Sequence, residues 1–211
     1  MRQIVLILFL LTTMSIFAQN ERRNHFGIRA DITANYGLDV KDPFYCKQNI
    51  GMGGSINGTY KFYLKKNAGW YIEPEVSLFY SVLQYTWEGW FFWDADSNSK
   101  EKKNQYQEFG IGTSAIFGYD FKIGRKTSLE LFTGPDFRYS LYKGFVSNEL
   151  NNQMEGVDLY RAAQFRWRIG VGVNHRSFNY SLSISPDITW HQRLGVDKKY
   201  MNLSLGVGYN F

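Results

Sequence analysis

Few residues in this chain have the types and spacing that chemistry needs, and one pair stands out. In the stretch WYIEPEVSLFYS, residues 70–81, Glu73 and Glu75 lie two positions apart. On a strand this puts both carboxylates on one face, roughly 6–7 Å apart at about 3.3 Å per residue. Paired carboxylates near that separation hydrolyse glycosides. The competing reading is electrostatic. Opposite charges across neighbouring strands stabilise a sheet, and a buried carboxylate needs a cation. The turn KKNAG is centred on Asn67, so a symmetric hairpin sets Lys61 opposite Glu73, six residues to either side. Glu75 then faces Thr59 and can reach a cation on another strand.

The other reactive types offer less. The histidines are His25, His175 and His191. Asp187 and His191 share a strand face but stand about 13 Å apart along it, too far for the hydrogen bond of a catalytic triad. No HExxH or paired CxxC spacing occurs, so no metal or cofactor is expected. Cys46, the single cysteine, falls in the segment DPFYCKQN, which reads as a loop. It has no basic partner to lower its pKa and no second cysteine to pair with, so it reads as an incidental thiol. The GIG, GVG and GVG pieces at 110–112, 170–172 and 206–208 follow strand alternation and lack a GxGxxG continuation. The formal charge is +5, but the basic residues are scattered. A nucleic-acid partner would require a basic patch or stripe, and none is expected.

What must position Glu73 and Glu75 is a set of strands. The 211 residues suit one domain of ordinary or slightly large size, and with 18% aromatics, 20 glycines and 4 prolines the composition leans towards β structure. The opening MRQIVLILFLLTTMSIFA has a basic start at Arg2, an apolar core from Ile4 to Leu11 and a small residue at Ala18. It reads as a secretory signal, residues 1–18, leaving a domain over 19–211. The apolar run is too short for a membrane helix.

Beyond it the dominant period is two. In FGIRADITANY, Phe26, Ile28, Ala30, Ile32, Ala34 and Tyr36 alternate with Gly27, Arg29, Asp31, Thr33 and Asn35. The pattern recurs in eight segments, about 26–36, 50–64, 70–86, 106–121, 128–142, 161–175, 179–191 and 201–211. Each is as long as a tilted transmembrane strand, ~9–11 residues, or longer. Their connections alternate long and short: KKNAG, KIGRKT and RSF are tight, the others longer and polar. That sorting, with an even strand count, predicts an eight-stranded antiparallel transmembrane β-barrel with short periplasmic turns and longer extracellular loops. A soluble barrel is the rival fold.

The two faces differ. One carries aromatics near the ends, such as Phe26, Trp70, Tyr80, Tyr119, Trp167 and Tyr209, around an aliphatic band that includes Ile28, Ile56, Val76 and Leu205. This layering suits a surface facing outer-membrane lipid. The other face carries Arg29, Lys61, Arg138, Arg166 and Arg168 with Asp31, Glu73, Glu75, Glu108, Asp120, Glu130, Asp136 and Asp187. Lipid rejects such charges near the midplane at a few kcal/mol each, so this face is expected to fill the barrel as an ion-pair network. Pro74, which lacks a ladder donor, is expected to mark a local bulge.

The segments KFYLKKNAGWYIEPEVSLFYS, LELFTGPDFRYSL and FRWRIGVGVNH, and the terminal LSLGVGYNF, make the chain resemble the PorT-like outer-membrane β-barrel proteins of Bacteroidota. By architecture it is similar to OmpA/OmpX-like eight-stranded barrels. The resemblance implies an exported barrel of the Gram-negative outer membrane whose C-terminal aromatic, here Phe211, is read by the barrel-assembly machinery. The seventh segment, YSLSISPDITWHQR, departs from the family with Ser-Pro-Asp where a more basic stretch is expected. The secretion or gliding role of the name-giving member is therefore not carried over.

The functional expectation is a non-enzymatic outer-membrane barrel with a structural or surface-interaction role. The loops 87–105 and 143–160 would meet an extracellular ligand or surface protein, and Trp87, Trp90, Phe91, Phe92 and Trp93 form a candidate contact cluster. A narrow gated pore and a membrane enzyme at the rim are the alternatives.

Overall fold

The computed structural model describes residues 24–38, 46–64, 69–87, 102–124, 126–145, 162–188 and 199–211. These form strands β1 (His25–Leu38), β2 (Cys46–Tyr63), β3 (Trp70–Trp87), β4 (Lys102–Lys122), β5 (Thr127–Phe145), β6 (Ala163–His175), β7 (Phe178–Pro186) and β8 (Lys199–Asn210). Each strand pairs antiparallel with its chain neighbour, and β1 pairs with β8, giving a closed barrel. Closure leaves no unpaired edge, which is the condition for a sheet to cross lipid.

The stagger of the barrel follows from its pairings. Stepping from Ile72 through Phe117, Thr133, Ile169, Ile184, Leu203, Ala34 and Met52 returns to β3 at Val82, ten residues further along. Such stagger is what tilts the strands against the barrel axis, and eight strands leave a bore just wide enough for side chains. Alternation then sorts every strand. On β3, Tyr71, Glu73, Glu75, Ser77, Phe79 and Ser81 are buried, while Trp70, Pro74, Val76, Leu78 and Tyr80 are exposed.

Several expected boundaries move. Cys46 opens β2 instead of lying in a loop, and Trp87 closes β3 instead of opening one. The hairpins extend on the long-connection side, because strands can keep pairing beyond the lipid-facing band. The seventh strand ends at Pro186, short of the expected bound, with an isolated bridge between Arg166 and Asp187 just beyond it; residues 189–191 lie outside the described residues. Segment 1–18, His191 and the aromatics Trp90, Phe91, Phe92 and Trp93 lie outside the described residues.

The expected bulge at Pro74 is absent. β2–β3 pairing lapses between Thr59↔Glu75 and Phe62↔Ile72 and resumes in the same register, while Pro74 stays opposite Ala115 on β4. A bulge would add a residue and turn the charges beyond it towards lipid, so preserved parity outweighs one lost hydrogen bond. Pro135 and Pro186 repeat the arrangement. The β4–β5 pairing skips from Ser114↔Asp136 to Phe117↔Thr133, again without a shift in register. The β6–β7 ladder stops at Ile169↔Ile184, and the Arg166↔Asp187 bridge beyond it keeps the same register. Among the described residues the register shifts lie elsewhere, between Asn49 and Met52 and between Phe109 and Gly110.

Glycines make room for the larger interior rings. Tyr71 sits opposite Gly118 and Phe132 opposite Gly170. A Cβ on either glycine would run into the facing ring. Tyr71, Ile116 and Phe132 form a small apolar cluster, with Tyr63 packed against it.

Candidate functional site

The interior charges converge into one chain of ion pairs. Glu130 Oε2 lies 2.6 Å from Lys61 Nζ, which lies 3.5 Å from Glu73 Oε2. Glu73 Oε1 lies 3.7 Å from Arg29 Nη1, and Arg29 Nη2 lies 2.6 Å from Glu75 Oε1. The second oxygen of Glu75 meets Arg168 Nη1 at 2.5 Å. Arg168 Nη2 reaches Asp136 Oδ1 at 3.4 Å, and Asp136 Oδ2 meets Arg166 Nη2 at 3.0 Å. Anion and cation alternate strictly through eight groups, from Glu130 to Arg166. They come from β1, β2, β3, β5 and β6, so the chain crosses the bore.

Two side branches complete it. Asp31 holds Arg29 Nε at 3.0 Å, and Arg138 Nε lies 3.7 Å from Asp136. The Arg138 guanidinium also stacks over the Phe79 ring at 4.9 Å. Every member of the alternating chain is buried, Arg166 completely. Desolvating so many charges is expensive, and alternation makes it tolerable by giving each a neighbour of opposite sign.

Neutral donors take up several of the carboxylates' lone pairs, while Asp136 Oδ2 accepts no hydrogen bond and meets its cations as ion pairs alone. Ser114 Oγ donates to Glu75 at 2.7 Å, and Asn57 Nδ2 donates to Asp31 at 2.8 Å. Glu130 accepts from Asn179 at 2.7 Å, Asn174 at 3.1 Å and Tyr71 Oη at 3.3 Å. At the turn end, Tyr63 Oη donates to Asp120. At the loop end Glu108 accepts from Tyr200 Oη at 2.8 Å, Ser140 at 3.1 Å and Gln164 at 3.2 Å.

The residues singled out from the sequence therefore separate cleanly. Arg29, Asp31, Lys61, Glu73, Glu75, Glu130, Asp136, Arg138, Arg166 and Arg168 lie in the network, and Asp187 reaches it through its backbone bridge to Arg166. Lys61 is nearer to Glu130 than to Glu73, the partner hairpin symmetry nominates. The neutral members Asn57, Ser114, Asn174, Asn179 and Tyr200 were not anticipated. Their signal was available, since they share the inward parity of the charges. Trp87 is placed in the backbone of β3, and Phe211 closes the wall through its N–H to the Phe26 carbonyl at 2.8 Å.

Glu73 and Glu75 do share a face, but each is tied to two cations inside the wall. The outer face is the opposite in character. Ile32, Met52, Val76, Leu205 and Ile56 project outward with Trp70, Tyr80, Tyr180 and Tyr209 above and below. A closed antiparallel barrel with an apolar, aromatic-edged exterior and a filled ionic bore defines the class of outer-membrane β-barrels. The chain belongs to the outer membrane protein beta-barrel domain family, whose model matches residues 4–211.

The fold is shared with a solved barrel. OprG of Pseudomonas aeruginosa superposes with a TM-score of 0.51 at 13% identity, covering 92% of this chain and 98% of its own. Neisserial surface protein A gives a TM-score of 0.43 at 13% identity, covering 88% and 97%. The outer membrane enzyme PagL gives 0.43 at 13% identity, covering 85% and 98%. No curated protein matches the chain.

Proposed function

We propose that this protein is a non-conducting, non-enzymatic barrel with a structural and surface-interaction role, its wall serving as a rigid mount for the long connections on the extracellular side. The observation that carries this reading is the alternating ion chain across the bore, which occupies the path an ion would take and engages the carboxylates that hydrolysis would need. The contact surface is the aromatic sequence of Trp87, Trp90, Phe91, Phe92 and Trp93, and its partner is an extracellular ligand or surface protein. The test replaces Trp90, Phe91 and Trp93 with serine in cells and measures attachment to immobilised glycans and matrix proteins. Reduced attachment at normal surface levels supports the role; unchanged attachment sinks it.

The finer placement is part of the same proposal. The chain is exported by cleavage after Ala18, which amino-terminal sequencing of the mature protein checks. Phe211 serves as the signal for the barrel-assembly machinery, and its truncation should lower the folded fraction in the outer membrane. The quoted segments assign it to the PorT-like branch of Bacteroidota, which gene neighbourhood would support or refute.

A further inference from the structure

The turn end of the barrel carries a feature that the filled bore does not use. Lys122, Lys126 and Arg176 are all exposed there. They are held together by backbone. Arg176 N–H donates to the Lys126 carbonyl at 2.8 Å, Thr127 pairs with His175, and Lys122 pairs with Ser128. No acidic residue occurs between Phe121 and Leu129 or between Val173 and Tyr180. The flanking acids, Asp120 and Glu130, are turned into the bore and buried. The other short turn repeats this charge in sequence with Lys65 and Lys66.

Two further observations say what such a cluster meets. Phe121, Ile123 and Phe178, interleaved with the three cations, are exposed large apolar side chains. Apolar side chains beside exposed cations at a barrel rim set the cations at headgroup depth. Arg176 also adopts φ of 56° in the two-residue turn between His175 and Phe178. Such turns favour Gly or Asn at positive φ, because a Cβ is strained there. Among the described residues no side-chain hydrogen bond or ion pair holds the Arg176 guanidinium, which stands exposed on this turn.

We propose that Lys122, Lys126 and Arg176 form a seat for the phosphodiester of an anionic phospholipid in the periplasmic leaflet, with Phe121, Ile123 and Phe178 against the upper acyl chain. Charge-assisted bonds from lysine and arginine suit phosphate oxygens, and each basic residue near an anionic surface adds to the attraction. The proposal rests on the outer-membrane barrel and not on the surface-loop role, so either can fail alone.

The test uses the full barrel in detergent micelles containing equal phosphatidylglycerol and phosphatidylcholine, with retained lipid read by native mass spectrometry. Wild type is expected to keep phosphatidylglycerol in preference by roughly tenfold or more. The triple variant Lys122→Gln, Lys126→Gln, Arg176→Gln should lose that preference while still migrating as a folded, heat-modifiable barrel. Arg176→Gly, which relaxes the turn, guards against a folding artefact: it should unfold no more easily than wild type and still retain less phosphatidylglycerol. A preference that survives the triple variant, or is absent from wild type, overturns the seat. Displacement of the lipid by inorganic phosphate alone would mark a free-oxyanion site and overturn the lipid assignment.

Discussion

Arg29 Nη2 and Glu75 Oε1 meet at 2.6 Å inside the barrel although they stand on β1 and β3, with all of β2 between them. The contact spans two inter-strand steps, roughly 9–10 Å, bridged by the two side chains across the inner face of the wall. The other oxygen of Glu75 is taken by Arg168 from β6, so this one carboxylate ties together three separate parts of the wall. Glu75→Gln should therefore leave two buried guanidinium groups short of charge. A loss of about 3–5 kcal/mol is expected in urea unfolding from lipid vesicles. A loss below ~1 kcal/mol, the value of an exposed pair, would mean that water reaches this part of the bore.

The same chain sets the conductance expected of the barrel. Lys61 occupies its turn end, between Glu130 at 2.6 Å and Glu73 at 3.5 Å. Lys61→Ala removes those two links and leaves Arg29, Glu75, Arg168, Asp136 and Arg166 in place across the bore. Planar-bilayer recordings of wild type and of Lys61→Ala should both be silent. Discrete openings in either would revive the gated-pore reading.

Interior rings and glycines should show the reverse of a cavity. Gly170 lies under the Phe132 ring, and an added methyl has no free space there. Gly170→Ala is expected to cost about 1–3 kcal/mol by overpacking. Phe132→Leu in the same chain should recover part of that loss, because it removes the colliding ring atoms. If the double variant is as unstable as the sum of the singles, the two sites do not share the space.

How much of this was legible beforehand depends on the distance over which the cause acts. Parity is local, so the inward set from Tyr71 to Ser81 could be read directly. Hairpin register is nearly local. The centre of KKNAG places Lys61 opposite Glu73, and Thr59 does pair with Glu75. Glu130 was legible as an inward residue but not as the nearer partner of Lys61, because β5 reaches β2 only across a closed bore. That meeting depends on the ten-residue stagger, a property of the whole ring. The long connections carry no period, so sequence alone does not fix the strand ends at Cys46, Trp87 and Pro186. At Pro74 one missing donor favours a bulge, but a shift in parity would expose charges to lipid, and parity prevails.

The three strand prolines supply the last test. Pro74 stands opposite Ala115, Pro135 opposite Trp167 and Pro186 opposite Met201. Carrying the registers through the lapsed pairs, Ala115 faces Pro135 and Trp167 faces Pro186, so the prolines lie on one diagonal row on alternate strands. The ladder phase directs their missing donors. Leu64 N–H bonds the Trp70 carbonyl at 3.0 Å and Ile188 N–H bonds the Phe165 carbonyl at 2.9 Å, so Pro74 and Pro186 point at the carbonyls of Tyr60 and Trp167. Ser140 N–H bonds the Ala162 carbonyl at 2.7 Å, which turns Pro135 the other way, towards Ala115. Each lapse loosens the pairing at one hydrogen-bonded site. Amides of Tyr60, Ala115 and Trp167 should thus exchange faster than those two residues away on the same strands, in NMR hydrogen exchange of the barrel in nanodiscs. Pro74→Val restores one donor and should raise protection at Tyr60 while leaving Ala115 and Trp167 unchanged. Uniform protection along β2, β4 and β6 in wild type would show that the ladder closes over the prolines and that the row has no effect on the wall.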